Sequence, residues 1–138
     1  MGQRIREIMT SNPSTVEPDK TVADAARIMK QEDAGVVPVT ENGRLTGMVT
    51  DRDIAIRVVA ESKDPKSTTV REVASSDLVT IDPQQDLDEA LRLMAQHQVR
   101  RLPVVEEDGR LVGIVAQADV ALGGDDTKTG QVVQEISQ

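Results

Sequence analysis

The sequence predicts an α+β fold made of two copies of one β-α-β-β-α unit, packed sheet to sheet with pseudo-two-fold symmetry, and three observations predict it. The chain matches itself end to end: IREIM at 5–9 recurs as VREVA at 70–74, and Pro18, Met29 and Pro38 recur as Pro83, Met94 and Pro103, each 65 positions on. From Gly43/Gly109 through Gly47/Gly113 to Asp53/Asp119 the separation is 66, so one residue has been added between Val105 and Gly109. That is a hairpin loop, where insertions are tolerated. Each copy also carries one apolar stripe of helical spacing followed by two β-rich runs around a tight turn. Finally, a chain of 138 residues is too short for two ordinary independent domains, and a unit of about 60 residues is marginal alone, so the copies are expected to share one core.

Each element has its own local cause. A helical turn at 5–9, or 70–74, leads into a brief strand carrying Val16, or Val79 and Ile81. Val22, Ala25, Ala26 and Met29 in one copy, and Leu87, Ala90, Leu91 and Met94 in the other, follow the i, i+3, i+4, i+7 spacing of a half-buried helix. Thr21-x-x-Asp24 and Asp86-x-x-Glu89 supply an N-cap side chain with an acid three residues on. The runs 36–39 and 45–49 flank Asn42-Gly43, and 102–105 and 111–115 flank Asp108-Gly109, which are hairpin signals. A last helix begins near Asp51 or Gln117. The expected organisation is therefore a first repeat over 1–60, a polar linker over 61–69, a second repeat over 70–122 and a tail over 123–138. In that tail Val132, Val133 and Ile136 suit either a short docking helix or a frayed end.

Composition excludes several functions. With 24 acidic against 16 basic side chains the net charge is −8, which disfavours nucleic acid and anionic membranes as partners. No apolar run reaches membrane-spanning length and residues 1–12 do not resemble a signal peptide, so a soluble cytoplasmic protein is expected. Cysteine is absent and His97 is the one histidine, which leaves neither thiolate nor His-rich metal sites. No nucleophile stands with a base and no Gly-x-x-x-x-Gly-Lys loop occurs, so no catalytic residue, catalytic cofactor or metal is expected. With no Phe, Tyr or Trp, any purine would have to sit between aliphatic walls. His97 suits a helix C-terminus, Met29 and Met94 a core or dimer contact, and Glu106-Glu107-Asp108 a solvated loop.

Gly47-Met48-Val49-Thr50-Asp51-Arg52-Asp53 runs from a strand into a helix. Backbone N–H groups at a helix start favour a phosphate, the Thr50 hydroxyl adds a donor, and the Asp53 carboxylate can accept both hydroxyls of a ribose. Thr50-x-x-Asp53 is equally a capping box. The second copy keeps the acid as Asp119 but has Ala116 in place of the hydroxyl, and an acid without its capping partner favours ligand binding.

The doubled pattern of Val-Val-Pro-Val and Arg-Arg-Leu-Pro-Val strands, each followed by Gly-x-x-Thr-x-x-Asp or its variant, resembles a pair of cystathionine-β-synthase-type (CBS) repeats over residues 4 to 122. HQVRRLPVV and LVGIVAQADVA are similar to small stand-alone CBS proteins of the hypoxic response protein type. The resemblance implies a regulatory, non-enzymatic module with clefts between the repeats for AMP, ADP or ATP, with S-adenosylmethionine or NAD less favoured. It also implies a homodimer and an unidentified effector protein. Carried over residue by residue, the better site takes Thr50, Arg52 and Asp53 from the first copy with Val79, Arg100, Arg101, Leu102 and Pro103 from the second. A weaker site takes Asp119 with Thr15, Val16, Gly35, Val36, Val37 and Pro38. There Ala116 replaces the hydroxyl, and Ala34 and Gly35 stand where the other copy has Val99 and Arg100. Losing a phosphate hydrogen bond and a charged contact costs about 2–4 kcal/mol, on the order of a hundredfold in affinity. The alternative is a structural or interaction dimer with the same fold and no nucleotide.

Overall fold

The computed structural model describes residues 3–123, with side chains described as far as Val120. The docking helix considered for 132–136 lies outside the described residues. In chain order the elements are α1 (Ile5–Ile8), β1 (Thr10–Ser11), α2 (Val22–Glu32), β2 (Val36–Glu41), β3 (Arg44–Thr50) and α3 (Asp51–Ile54). A π-helical turn, Ala55–Val59, continues α3, and α4 (Val70–Val73), α5 (Leu87–His97), β4 (Arg101–Val105), β5 (Leu111–Ala116) and α6 (Gln117–Gly123) complete the order.

Each local signal acts as its chemistry requires. Thr21 Oγ1 accepts the Asp24 N–H at 3.2 Å while Asp24 Oδ2 accepts the Thr21 N–H at 3.3 Å, closing the box that starts α2. In α5 only the forward half forms, from the Glu89 N–H to Asp86 Oδ1 at 3.0 Å. Both long helices end on a left-handed residue, Asp33 (φ 51°) and Gln98 (φ 55°). Asn42 and Gly43, with φ of 55° and 81°, make the two-residue turn between antiparallel β2 and β3.

The compact units do not coincide with the sequence repeats. One unit is Ser14–Leu78; the other is split, joining the chain up to Pro13 to the chain from Val79 onward. The leading turn of each repeat has crossed to the other's hairpin. In the split unit the Ile5 and Arg6 N–H groups bond to the carbonyls of Gln85 (2.8 Å) and Pro83 (3.0 Å), and the Leu87 N–H bonds back to Gln3 O (3.0 Å). The Ser14–Leu78 unit has the same clamp: Val70 N–H to Lys20 O at 2.8 Å, Arg71 N–H to Pro18 O at 3.0 Å, and Val22 N–H to Thr68 O at 2.9 Å. Part of the polar segment 61–69 is thus bonded to the start of α2, and Thr68 is buried.

The physical reason is that a four-residue helix cannot bury its own apolar side chain. Ile5 is fully buried with Leu87, Leu91, Met94, Leu102 and Val115, and Val70 and Val73 with Val22, Val37, Val49 and Val58. Each such side chain is worth roughly 1.5–3 kcal/mol relative to exposure.

Edge segments complete each hairpin. In the split unit the strand order is β1-β5-β4, and Ile81 adds a parallel bridge to Val104. In the Ser14–Leu78 unit Val16 bridges Val39 in parallel, and Ser75 exchanges two 2.9 Å backbone bonds with Met48.

Candidate nucleotide site

Within the Ser14–Leu78 unit, backbone pairing brings together three of the predicted segments. The Val16 N–H donates to Pro38 O at 3.0 Å, Val36 and Val37 pair with Thr50 and Val49, and the Asp51 N–H donates to Gly35 O at 3.0 Å. The start of β2 and the start of α3 therefore lie side by side. A Cβ on Gly35 would stand 3.0 Å from Asp51 Oδ2, so a larger residue there would press on that side chain.

The split unit repeats the arrangement. Arg101, Leu102 and Pro103 pair with Ala116, Val115 and Ile114, the Ile81 N–H donates to Pro103 O at 3.1 Å, and the Gln117 N–H donates to Arg100 O at 2.8 Å. Val79, Arg100 to Pro103 and Asp119 are thereby neighbouring segments of one unit, as Thr15, Val16, Gly35 to Pro38 and Thr50, Arg52 and Asp53 are of the other.

Asp53 Oδ2 accepts the Thr50 N–H at 2.9 Å while Thr50 Oγ1 accepts the Asp53 N–H at 3.0 Å. The capping box is therefore formed, and it holds the Asp53 carboxylate with Oδ1 uncommitted among the described residues. Asp119 corrects the sequence argument: its Oδ2 accepts the Ala116 N–H at 2.8 Å, so it still closes the acid half of the box although residue 116 has no hydroxyl. A cap needs only the backbone N–H of its first residue on that side, which any residue supplies. What Ala116 removes is the acceptor for the N–H three residues on.

Leu102 and Val37 are 0% and 1% exposed, so their side chains fill cores and their backbone is the part left for any ligand. Arg52, Arg100 and Arg101 are exposed and make no ion pair among the described residues. A free guanidinium at a helix or strand start is available for an anion. Three features carried no sequence signal of their role: the close packing at Gly35, the buried Thr40, and the exposure of Ile56 and Val59, at 48% and 69%.

Among the described residues no group of three or more His, Asp or Glu side chains is placed to hold a metal, and no helix is long and apolar enough to cross a membrane. Carboxyl groups outside the site are perturbed. A backbone hydrogen bond from Thr69 holds Glu72 below the ordinary carboxylate value, and Arg92 does the same to Glu89 through its side-chain hydrogen bonds.

Comparison with known proteins shows the family and the fold. The family described as CBS domain matches residues 5–60 and again 70–122. The CBS domain-containing protein YhcV of Bacillus subtilis is 48% identical over 118 residues, covering 86% of this chain and 83% of that protein. Hypoxic response protein 1 of Mycobacterium tuberculosis is 41% identical over 117 residues, covering 84% and 81%. A crystal structure of Hypoxic Response Protein I with two coordinated zinc ions superposes with a TM-score of 0.79 at 40% identity, over 87% of this chain and 98% of that one. Two more distant structures share the fold. The CBS domain pair of MJ0100 in complex with 5-methylthioadenosine and S-adenosyl-L-methionine has a TM-score of 0.78 at 24% identity, over 88% of this chain and 95% of that one. CBSX2 in complex with AMP has a TM-score of 0.75 at 23% identity, over 99% and 100%.

Proposed function

From the premise that the chain belongs to the CBS domain family and carries two CBS domains in tandem, we propose that it is a non-enzymatic regulatory module binding an adenosine-containing nucleotide of the AMP, ADP or ATP class. The observation that carries the reading is the Asp53 carboxylate, held by its capping bond with one oxygen uncommitted beside the start of β2. A ribose diol takes such an oxygen as acceptor. Thr50 and Arg52 at the same helix start supply hydroxyl and guanidinium donors for phosphate, and Val16 with the Gly35 to Pro38 segment lies beside them. Asp119, at the helix start beside Arg100 to Pro103 in the split unit, stands in the equivalent place there without the hydroxyl. The AMP bound by CBSX2 and the S-adenosyl-L-methionine bound by the MJ0100 pair support an adenosyl ligand as the class.

Signalling then runs through a homodimer or an effector protein. Ile56 and Val59 are large, exposed apolar side chains of the π-helical turn that continues α3, and they supply the surface for self-association. A nucleotide shifts such an assembly only by its difference in affinity for the two arrangements. The same exposed pair favours a second reading, an interaction dimer without a nucleotide.

Calorimetric titration of AMP, ADP, ATP, S-adenosylmethionine and NAD into wild type and Asp53→Asn separates the two readings. The asparagine oxygen can still accept the capping bond, so a loss of binding reports the ligand contact. Binding by none of the five leaves the interaction dimer. Undiminished binding in Asp53→Asn with loss in Asp119→Asn moves the site to the other acid.

A further inference from the structure

The Ser14–Leu78 unit contains a groove that involves neither Asp53 nor the pre-proline residues. It is an open groove of about 560 Å³ between the stripe Asp24, Arg27, Gln31 of α2 and the residues Thr15 to Glu17 and Lys20, with Thr40 and the Asn42-Gly43 turn also lining it. Val16 and Ile28 give it an apolar wall. Thr40 is only 8% exposed. Its N–H donates to Val16 O at 3.0 Å, but its hydroxyl has no partner among the described residues. Burying a hydroxyl without a partner is unfavourable, and native structures rarely do so unless something outside the chain completes the bond. The position is also irregular, because the β2–β3 register shifts between Val39 and Thr40.

The charges around that hydroxyl are balanced. Lys20 and Glu17 make no ion pair among the described residues, whereas Arg27 is bonded to Asp24. A simple anion would meet Glu17 and Asp24, and a simple cation would meet Lys20 and Arg27. A molecule bearing both signs finds a partner for each.

We propose that this groove binds a small zwitterion of amino-acid type, its carboxylate taken by Lys20 and the Thr40 hydroxyl and its ammonium by Glu17. The backbone hydrogen bond from Thr21 holds the Asp24 carboxyl below its ordinary value, so Arg27 keeps its partner and the free charges are Lys20 and Glu17. Of the residues named in the nucleotide reading, this groove holds only Thr15 and Val16.

The probes are the free L-amino acids, with inorganic phosphate and putrescine as single-sign controls, followed by thermal shift and calorimetry on the full chain. At least one amino acid is expected to raise the Tm, phosphate and putrescine are expected not to, and Kd is expected to weaken about tenfold or more in Lys20→Ala and in Thr40→Val. Asp53→Asn should leave that binding unchanged while altering nucleotide binding. Lys20 is exposed and carries the test if Thr40→Val does not fold. No shift with any amino acid, equal binding of phosphate or putrescine, or unchanged Kd in Lys20→Ala overturns the proposal.

Discussion

A Cβ placed on Gly113 would stand 2.8 Å from the carbonyl oxygen of Thr10, so the strand β5 has room for the crossing segment β1 only because residue 113 has no side chain. Its counterpart Gly47 meets Ser75 O in the same way, at 3.0 Å. Gly113→Ala is therefore expected to push β1 away from β5 and to destabilise by about 1–3 kcal/mol. The denaturation midpoint measures it, and an unchanged midpoint would contradict the close approach.

Ile5 belongs to the first repeat by sequence and to the core of the second by packing. Ile5→Ala should cost about 2–5 kcal/mol, as other large-to-small core changes do. Hydrogen exchange locates the loss: protection of β4 and β5 is expected to fall before that of β2 and β3. A loss confined to β2 and β3 would place the leading turn in the wrong unit.

Ala116 leaves the Asp119 N–H without the side-chain acceptor that Thr50 gives Asp53. Ala116→Thr is expected to add about 0.5–1 kcal/mol of stability by restoring the cap. On the nucleotide reading it also strengthens the weaker site, which calorimetry would register as a second, tighter binding event.

Arg92 is the largest cause of the lowered Glu89 pKa, and hydrogen bonds from Thr21 and Thr69 lower those of Asp24 and Glu72. A carboxyl whose folded pKa lies below its unfolded one contributes stability above the unfolded value and loses it as pH falls through the folded one. The small contribution of these three carboxyls should therefore be lost on the acid side of the ordinary carboxylate range. By NMR titration, Arg92→Gln should return Glu89 towards its ordinary value and leave Asp24 and Glu72 where they are.

Ile56 and Val59 are the most exposed large apolar side chains in the described residues. If they mediate self-association, Ile56→Lys with Val59→Lys should convert an associated species into monomer in sedimentation without lowering the Tm of the monomer. An unchanged sedimentation profile would place any dimer contact elsewhere.

Much of the architecture was legible because its causes are local. The alternation around Asn42-Gly43 and Asp108-Gly109 makes hairpins by turn geometry, and the stripes from Val22 and Leu87 make helices by apolar spacing. The helix starts at Thr50 and Ala116 follow from the same motif that pointed to Asp53 and Asp119. The capping bond of Asp119 was not legible for a definite cause: a capping acid bonds to a backbone N–H, which leaves no trace in the identity of residue 116.

By itself, then, the sequence determined the repeat, the type and order of its elements, and which acids and bases stand at helix and strand starts, since periodicity, turn chemistry and capping act over a few residues. Only the tertiary structure decided that α1 and α4 pack against the hairpin of the other repeat, that Gly47 and Gly113 admit a crossing segment, and that the Thr40 hydroxyl is buried without a partner among the described residues. Those outcomes depend on contacts between residues far apart in the chain. An apolar side chain at position 5 states that it must be buried, but carries no information about which of two similar cores receives it.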